Sequence, residues 1–136
     1  MHRLAIMVAA LWWGSLTGLL FMVVPMLFAS LPTPAMAGSM AARLFSAQTW
    51  VAAVGGVLFF GFSLSKLAKT SVKSSVTDMR FVAIAVALAL LVEFWAAPHI
   101  VARENLPLWH RLGAGMLFGQ WLLCGGLLWR LGGSRP

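Results

Sequence analysis

Four apolar runs, at about residues 4–28, 44–65, 81–101 and 112–131, constrain this chain more than any other feature of its sequence. A helix needs roughly 20 apolar residues to cross about 30 Å of hydrocarbon, and each run reaches that length. Transmembrane strands would show about ten residues of alternating polarity, whereas these runs are apolar on every side. In lipid an unpaired backbone group costs several kcal/mol, so a helix, which pairs its own groups, is the form each run must take. The expected fold is all-α: one integral membrane four-helix bundle occupying residues 1–136 as a single domain. Composition removes the alternatives. Hydrophobic residues make up 61% of the chain and charged residues 10%, against about 45–50% and about 25% in soluble domains. A soluble globule of this size cannot hide so much apolar surface, and disorder needs low hydrophobicity.

The net charge of +7 sets ten Lys and Arg residues against Asp78, Glu93 and Glu104. In a soluble protein that balance would point to nucleic acid. Here the basic residues flank the apolar runs, so the expected partner is the lipid bilayer and not nucleic acid. Arg3, the stretch Lys66, Lys69, Lys73 and Arg80, and then Arg130 and Arg135 fall on one side. Arg43, Arg103 and Arg111 fall on the other. Basic residues accumulate on the cytoplasmic side, which predicts that both termini are cytoplasmic. The first run resembles a signal peptide through Arg3 and the Ala35-Met36-Ala37 pattern. It is much longer than the usual h-region of about 7–15 residues, so it reads as a retained span.

Inside lipid, apolar faces do not drive helices together, and close backbone approach matters more. Gly14 with Gly18 and Gly115 with Gly119 form GxxxG pairs. Ala52 with Gly56, Ala83 with Ala87 and Ala85 with Ala89 repeat that spacing. These positions predict helix packing within the chain, with a homo-oligomer or larger membrane complex as the alternative. Trp50, Trp109 and Trp129 suit an interfacial aromatic belt, and Trp95 and Trp121 are expected to pack more deeply. Pro32 and Pro34 mark the first turn, and Thr77 with Asp78 is placed to cap the third helix. No sequence repeat stands out.

Glu93 is the one acid inside a span. At 1.5 Å per residue Glu93 and Gln120 each fall roughly 12 Å below the outer end of their helices, with Thr17 slightly deeper. The three are a candidate intramembrane polar site. An acid in this setting faces inward, either as a proton or cation site or as a neutral carboxyl bonded to Gln120 or a helix carbonyl. Pro98 removes the backbone donor that would bond the Phe94 carbonyl. His99, His110, Met26, Met36 and Met40 map to the outer boundary, and imidazole with thioether suits Cu(I). Methionine is also an ordinary apolar filler, so metal ligation and simple packing both fit these residues. Cys124 is the sole cysteine, which excludes an intrachain disulfide. The sequence holds no nucleophile with a base, no paired carboxylates, no phosphate loop and no HExxH motif. No enzyme activity and no cofactor are expected.

The first half carries a more specific pattern: Leu11-Trp12 with Gly14, Pro25-x-Leu27-Phe28, Leu31-Pro32, Ala37-Gly38 and Leu44-Phe45. It resembles the TMEM205-like family of small four-helix membrane proteins, whose bacterial form is the DUF4149 domain. Within that resemblance Trp12, Pro25, Phe28, Gly38 and Phe45 are the motif residues, and Pro98 and His110 are similar to a proline ending helix three and a histidine opening helix four. The resemblance implies a bacterial inner membrane location and no established biochemical activity. Animal relatives are linked to platinum-drug resistance and secretion, which implies membrane traffic or transport. The sequence therefore points to a non-enzymatic accessory or transport-related bundle, or alternatively to an ion, proton or metal (copper) module using Glu93 and the outer-face His and Met residues.

Overall fold

The computed structural model describes the backbone of residues 2–67 and 72–133, and the side chains among them other than 65–67, 72–75 and 106. Four long helices fill it. Helix α1 is His2–Ser30, α2 is Pro34–Leu67, α3 runs over 72–101, and α4 is Leu106–Gly133. All four contain spans long and apolar enough to cross a membrane. Each helix packs on its chain neighbours, and α1 closes the ring against α4. The order is up-down-up-down around a square. His2 and Gly133 lie at one end, here the terminal end; the connections at 31–33 and 102–105 lie at the other, the distal end. Large apolar side chains cover the outside: Leu11, Trp50, Val57, Phe94 and Trp129 are all largely exposed. An exterior as apolar as the interior is what lipid as solvent requires.

The helix ends follow from local chemistry. Leu31 is extended (φ −86°, ψ 144°) because Pro32 disfavours the helical region for the residue before it. The Thr33 hydroxyl then accepts the Met36 N–H at 3.2 Å, and Pro34 opens α2, where its missing donor is not needed. This cap starts α2 ten residues earlier than the 44–65 run. Arg43 consequently lies inside the helix, and Trp50 lies mid-helix, not at its outer boundary. Likewise α3 begins before Thr77 and Asp78, so these do not cap it. Asp78 instead accepts Arg130 Nε at 3.0 Å, tying α3 to α4 near the terminal end. The basic side chains of Lys66, Lys69, Lys73 and Arg135 lie outside the described residues.

The second connection closes differently. The Glu104 N–H donates to His99 O at 3.1 Å and the Arg103 N–H to Ile100 O at 3.1 Å. That pair of bonds ends a helix by turning one residue left-handed, a place glycine usually fills. Here the residue is Arg103, at φ 58°.

Both odd-numbered helices break in the same way. Leu19–Val23 in α1 and Val92–Ala96 in α3 are π-turns, with Pro25 and Pro98 just beyond. Proline lacks the N–H that its i−4 carbonyl needs and its ring crowds that carbonyl; the wider turn accommodates it. One interval separates Leu19 from Val92, Pro25 from Pro98 and Pro34 from Pro107. At that interval the buried Ala9, Trp12 and Leu16 correspond to the buried Val82, Ala85 and Ala89. An interval shorter by a single residue relates Ala41 to Gly113, Gln48 to Gln120, Ala52 to Cys124 and Phe59 to Leu131, again buried in each pair. The hairpins α1–α2 and α3–α4 are thus two renderings of one plan about an approximate twofold axis. The sequence alone shows this only as equal proline spacing, because the side chains differ.

Only some of the glycines expected to let helices approach do so, Gly56 and Gly119 among them. A Cβ added at Gly14, Gly18 or Gly115 would meet nothing within 4 Å, so these three serve no contact inside the chain. Gly119 does pack, with Leu88 Cδ1 at 3.4 Å from that position. The tight seams run through Gly56, where Val86 Cγ2 would lie 2.6 Å from an added Cβ, and Gly125, where Trp13 Nε1 would lie at 2.8 Å. GxxxG spacing aligns two glycines on one face; it does not say which face is turned inward.

Candidate functional site

Glu93, Gln120 and Thr17 sit at similar depth but face three different places. Glu93 lies within the α3 π-turn and turns toward α2, where Ser46 Oγ is 2.8 Å from each carboxylate oxygen. Thr17 belongs to the α1–α4 seam: its hydroxyl donates to Trp13 O at 2.8 Å and accepts Trp121 Nε1–H at 2.8 Å. Gln120 is 1% exposed, and neither its Nε2 nor its Oε1 has a partner. The expected single polar layer is therefore split, because rise per residue fixes depth but not direction around the helix. Ser46, the partner of Glu93, carried no signal that set it apart from other helix serines.

The outer-boundary residues also separate. His99 Nδ1 lies 2.7 Å from Trp95 O, and its ring stacks on Trp109 with centroids 4.0 Å apart. The carbonyl that gains a side-chain partner near Pro98 is thus that of Trp95 and not that of Phe94. Met26, Met36 and Met40 are exposed on the bundle surface. Among the described residues no group of three His, Cys, Asp or Glu side chains is placed to hold a metal ion.

His110 lies elsewhere, in a cavity of about 300 Å³ on the bundle axis. All four helices line it. Leu20, Val24 and Phe28 come from α1; Gly38, Ala41, Ala42 and Phe45 from α2; Val92, Ala97 and Ile100 from α3; and His110, Gly113, Ala114 and Leu117 from α4. Two causes in the sequence open this space. Each π-turn contributes a wall residue, Leu20 and Val92, and the facing positions on α2 and α4 include the small Gly38, Ala41, Ala42, Gly113 and Ala114. The lining repeats across the twofold relation, Gly38 against His110, Ala41 against Gly113, Ala42 against Ala114 and Phe45 against Leu117. The cavity continues to the distal surface through a vestibule that shares Phe28, Gly38, Ala42, Ile100 and His110 and adds Arg103. Gln120 lies one helical turn beyond Leu117, on the far side of the cavity floor.

Such a cavity offers dispersion contacts to an apolar group, with a few polar groups at its mouth to orient what enters. Three motif residues of the first half, Phe28, Gly38 and Phe45, line it. Pro25 follows the π-turn beside it, and Trp12 packs beneath on Gly55. No curated protein and no solved structure matches the chain. A family profile does match, that of DUF4149, a domain of unknown function, over residues 7–106. That span covers both π-turns, three of the four cavity walls and the strained turn at Arg103, and on it the chain belongs to the DUF4149 family.

Proposed function

We propose that this multi-pass membrane protein is a non-enzymatic, transport-related module that takes an apolar ligand into its axial cavity from the distal face. The observation that carries the reading is the cavity itself: an apolar space on the bundle axis, built by all four helices and continuous with one surface. A purely structural bundle gains nothing from such a void, because lining atoms that face empty space lose dispersion contacts. The placement of basic residues supports cytoplasmic termini, which turns the mouth to the outside of the bacterial inner membrane. The resemblance to TMEM205-like proteins, with their link to drug resistance and secretion, agrees with a role in moving or holding small apolar molecules.

The test is binding of a neutral alkyl probe, dodecanol, to protein in lipid nanodiscs, with empty discs subtracted. The substitutions Ala42→Phe and Ala114→Phe fill the cavity from α2 and α4. Each is expected to weaken binding by roughly tenfold or more, the factor that loss of about 1.4 kcal/mol produces. Equal binding by wild type and both variants, or none by any of them, would contradict the reading.

A second reading rests on Glu93. It stands in a π-turn, a distortion frequently found at functional sites, and among the described residues its carboxylate is held by one serine hydroxyl. This supports a proton-exchanging carboxyl between α2 and α3. Glu93→Gln would then abolish a proton-linked phenotype while leaving alkyl binding intact.

A further inference from the structure

We propose that the ligand of the axial cavity is a single-chain anionic amphiphile, a fatty-acid-like carboxylate, with its head at Arg103 and His110 and its tail reaching Phe45 and Leu117. The proposal names the ligand class for the cavity and rests on the reading above.

Charge complementarity comes first. The vestibule at the distal mouth of the cavity is apolar except for Ser39, Arg103 and His110. The Arg103 side chain makes no hydrogen bond or ion pair among the described residues. The neighbouring acid, Glu104, does not neutralise it but turns toward His99, with Oε2 at 3.9 Å from Nε2. A guanidinium left free beside an apolar channel is a partner for a carboxylate, which it can hold through two parallel N–H donors.

The backbone supplies a second, independent observation. Arg103 occupies the left-handed region at φ 58°, where a residue with a Cβ is about 1–2 kcal/mol worse than glycine. The turn needs that conformation, and glycine would supply it without strain. Asn105, two residues on, is also left-handed at φ 39°, but asparagine tolerates that region better than arginine does, so the strain at Arg103 points to a use for its side chain. Here the side chain stands at the mouth of the cavity.

Size then selects the tail. A volume of about 300 Å³ holds on the order of ten methylene-sized groups, taking about 30 Å³ for a group the size of a water molecule. That is one alkyl chain of medium length. One such chain fills the cavity, which favours a single-chain ligand over a diacyl lipid.

Three probes of equal chain length separate head from tail: dodecanoate, dodecanol and dodecyltrimethylammonium, each measured against protein in zwitterionic nanodiscs in mildly alkaline buffer. Dodecanoate is expected to bind roughly tenfold more tightly than dodecanol, with the ammonium weakest, as one charge-assisted pair allows. Arg103→Gln should bring dodecanoate down to the level of dodecanol and leave dodecanol unchanged. Arg103→Gly should do the same while melting no lower than wild type, which a merely structural arginine would not do. If dodecanoate and dodecanol bind alike, or the ratio survives both substitutions, the head-group assignment is wrong while the cavity reading stands. If no probe binds, both fall together.

Discussion

The two hairpins of this bundle share a backbone plan and differ in how they treat polar side chains. In α1–α2, Gln48 donates to Ser15 Oγ at 3.0 Å, and Ser15 in turn donates to Trp12 O at 2.8 Å. In α3–α4, Gln120 holds the equivalent place, but the position corresponding to Ser15 carries Leu88, and the amide has no partner. Leu20 corresponds to Glu93 and Gly38 to His110. The first hairpin thus pairs its glutamine internally, though the indole N–H groups of Trp12 and Trp13 are buried in it without a partner among the described residues. The second leaves its glutamine unpaired and adds an acid in the π-turn and a histidine at the cavity. Buried polar groups without partners are costly and need a reason. The comparison teaches that one backbone plan can satisfy a buried amide in one half and leave the equivalent amide open to a ligand, proton or water in the other.

Substitutions at equivalent positions break or sharpen this contrast. The largest effect is expected from Gln120→Met, which keeps the shape and removes an unpartnered amide: stabilisation by about 1–3 kcal/mol. Arg103→Gly comes next, with about 1 kcal/mol gained from relief of left-handed strain. Gln48→Met should move the opposite way, losing about 0.6 kcal/mol, the usual worth of an interhelical hydrogen bond in a membrane bundle. Asp78→Asn should cost least, about 0.2–1 kcal/mol at most, because Asp78 and Arg130 form a partly exposed pair. Thermal melts in mild detergent would read all four. The rate at which a thiol reagent reaches Cys124, the only cysteine and 1% exposed, gives an independent report of unfolding. Equal responses from Gln48→Met and Gln120→Met would erase the distinction between the hairpins.

Much of the fold was legible in the sequence. Run length and composition dictate four helices, and Pro25 and Pro98 mark where two of them distort. The start of α2 was not legible from hydropathy, since Arg43 looks like a boundary. Arg43 is exposed nine residues past the helix start, where a long side chain can lay its stem along the helix and keep its charge toward water, and the Thr33–Pro34 cap decides the start. Depth was readable for Glu93, Gln120 and Thr17, but rise along a helix carries no direction around it, and for Glu93 a π-turn shifts the face as well. The cavity was legible least of all. It arises where small residues on two helices face two wall residues from separate π-turns, and only the equal spacing of Pro25 to Pro34 and Pro98 to Pro107 hinted at that pairing.

Accessibility of a single introduced thiol tests the central claim most directly. Ala42→Cys in a Cys124→Ser background places one cysteine at the junction of cavity and vestibule. The account expects a small maleimide to reach it from the distal side and dodecanol to slow the reaction in a saturable way. A thiol that stays unreactive, or one that reacts at the same rate whether or not the alkyl probe is present, would contradict it.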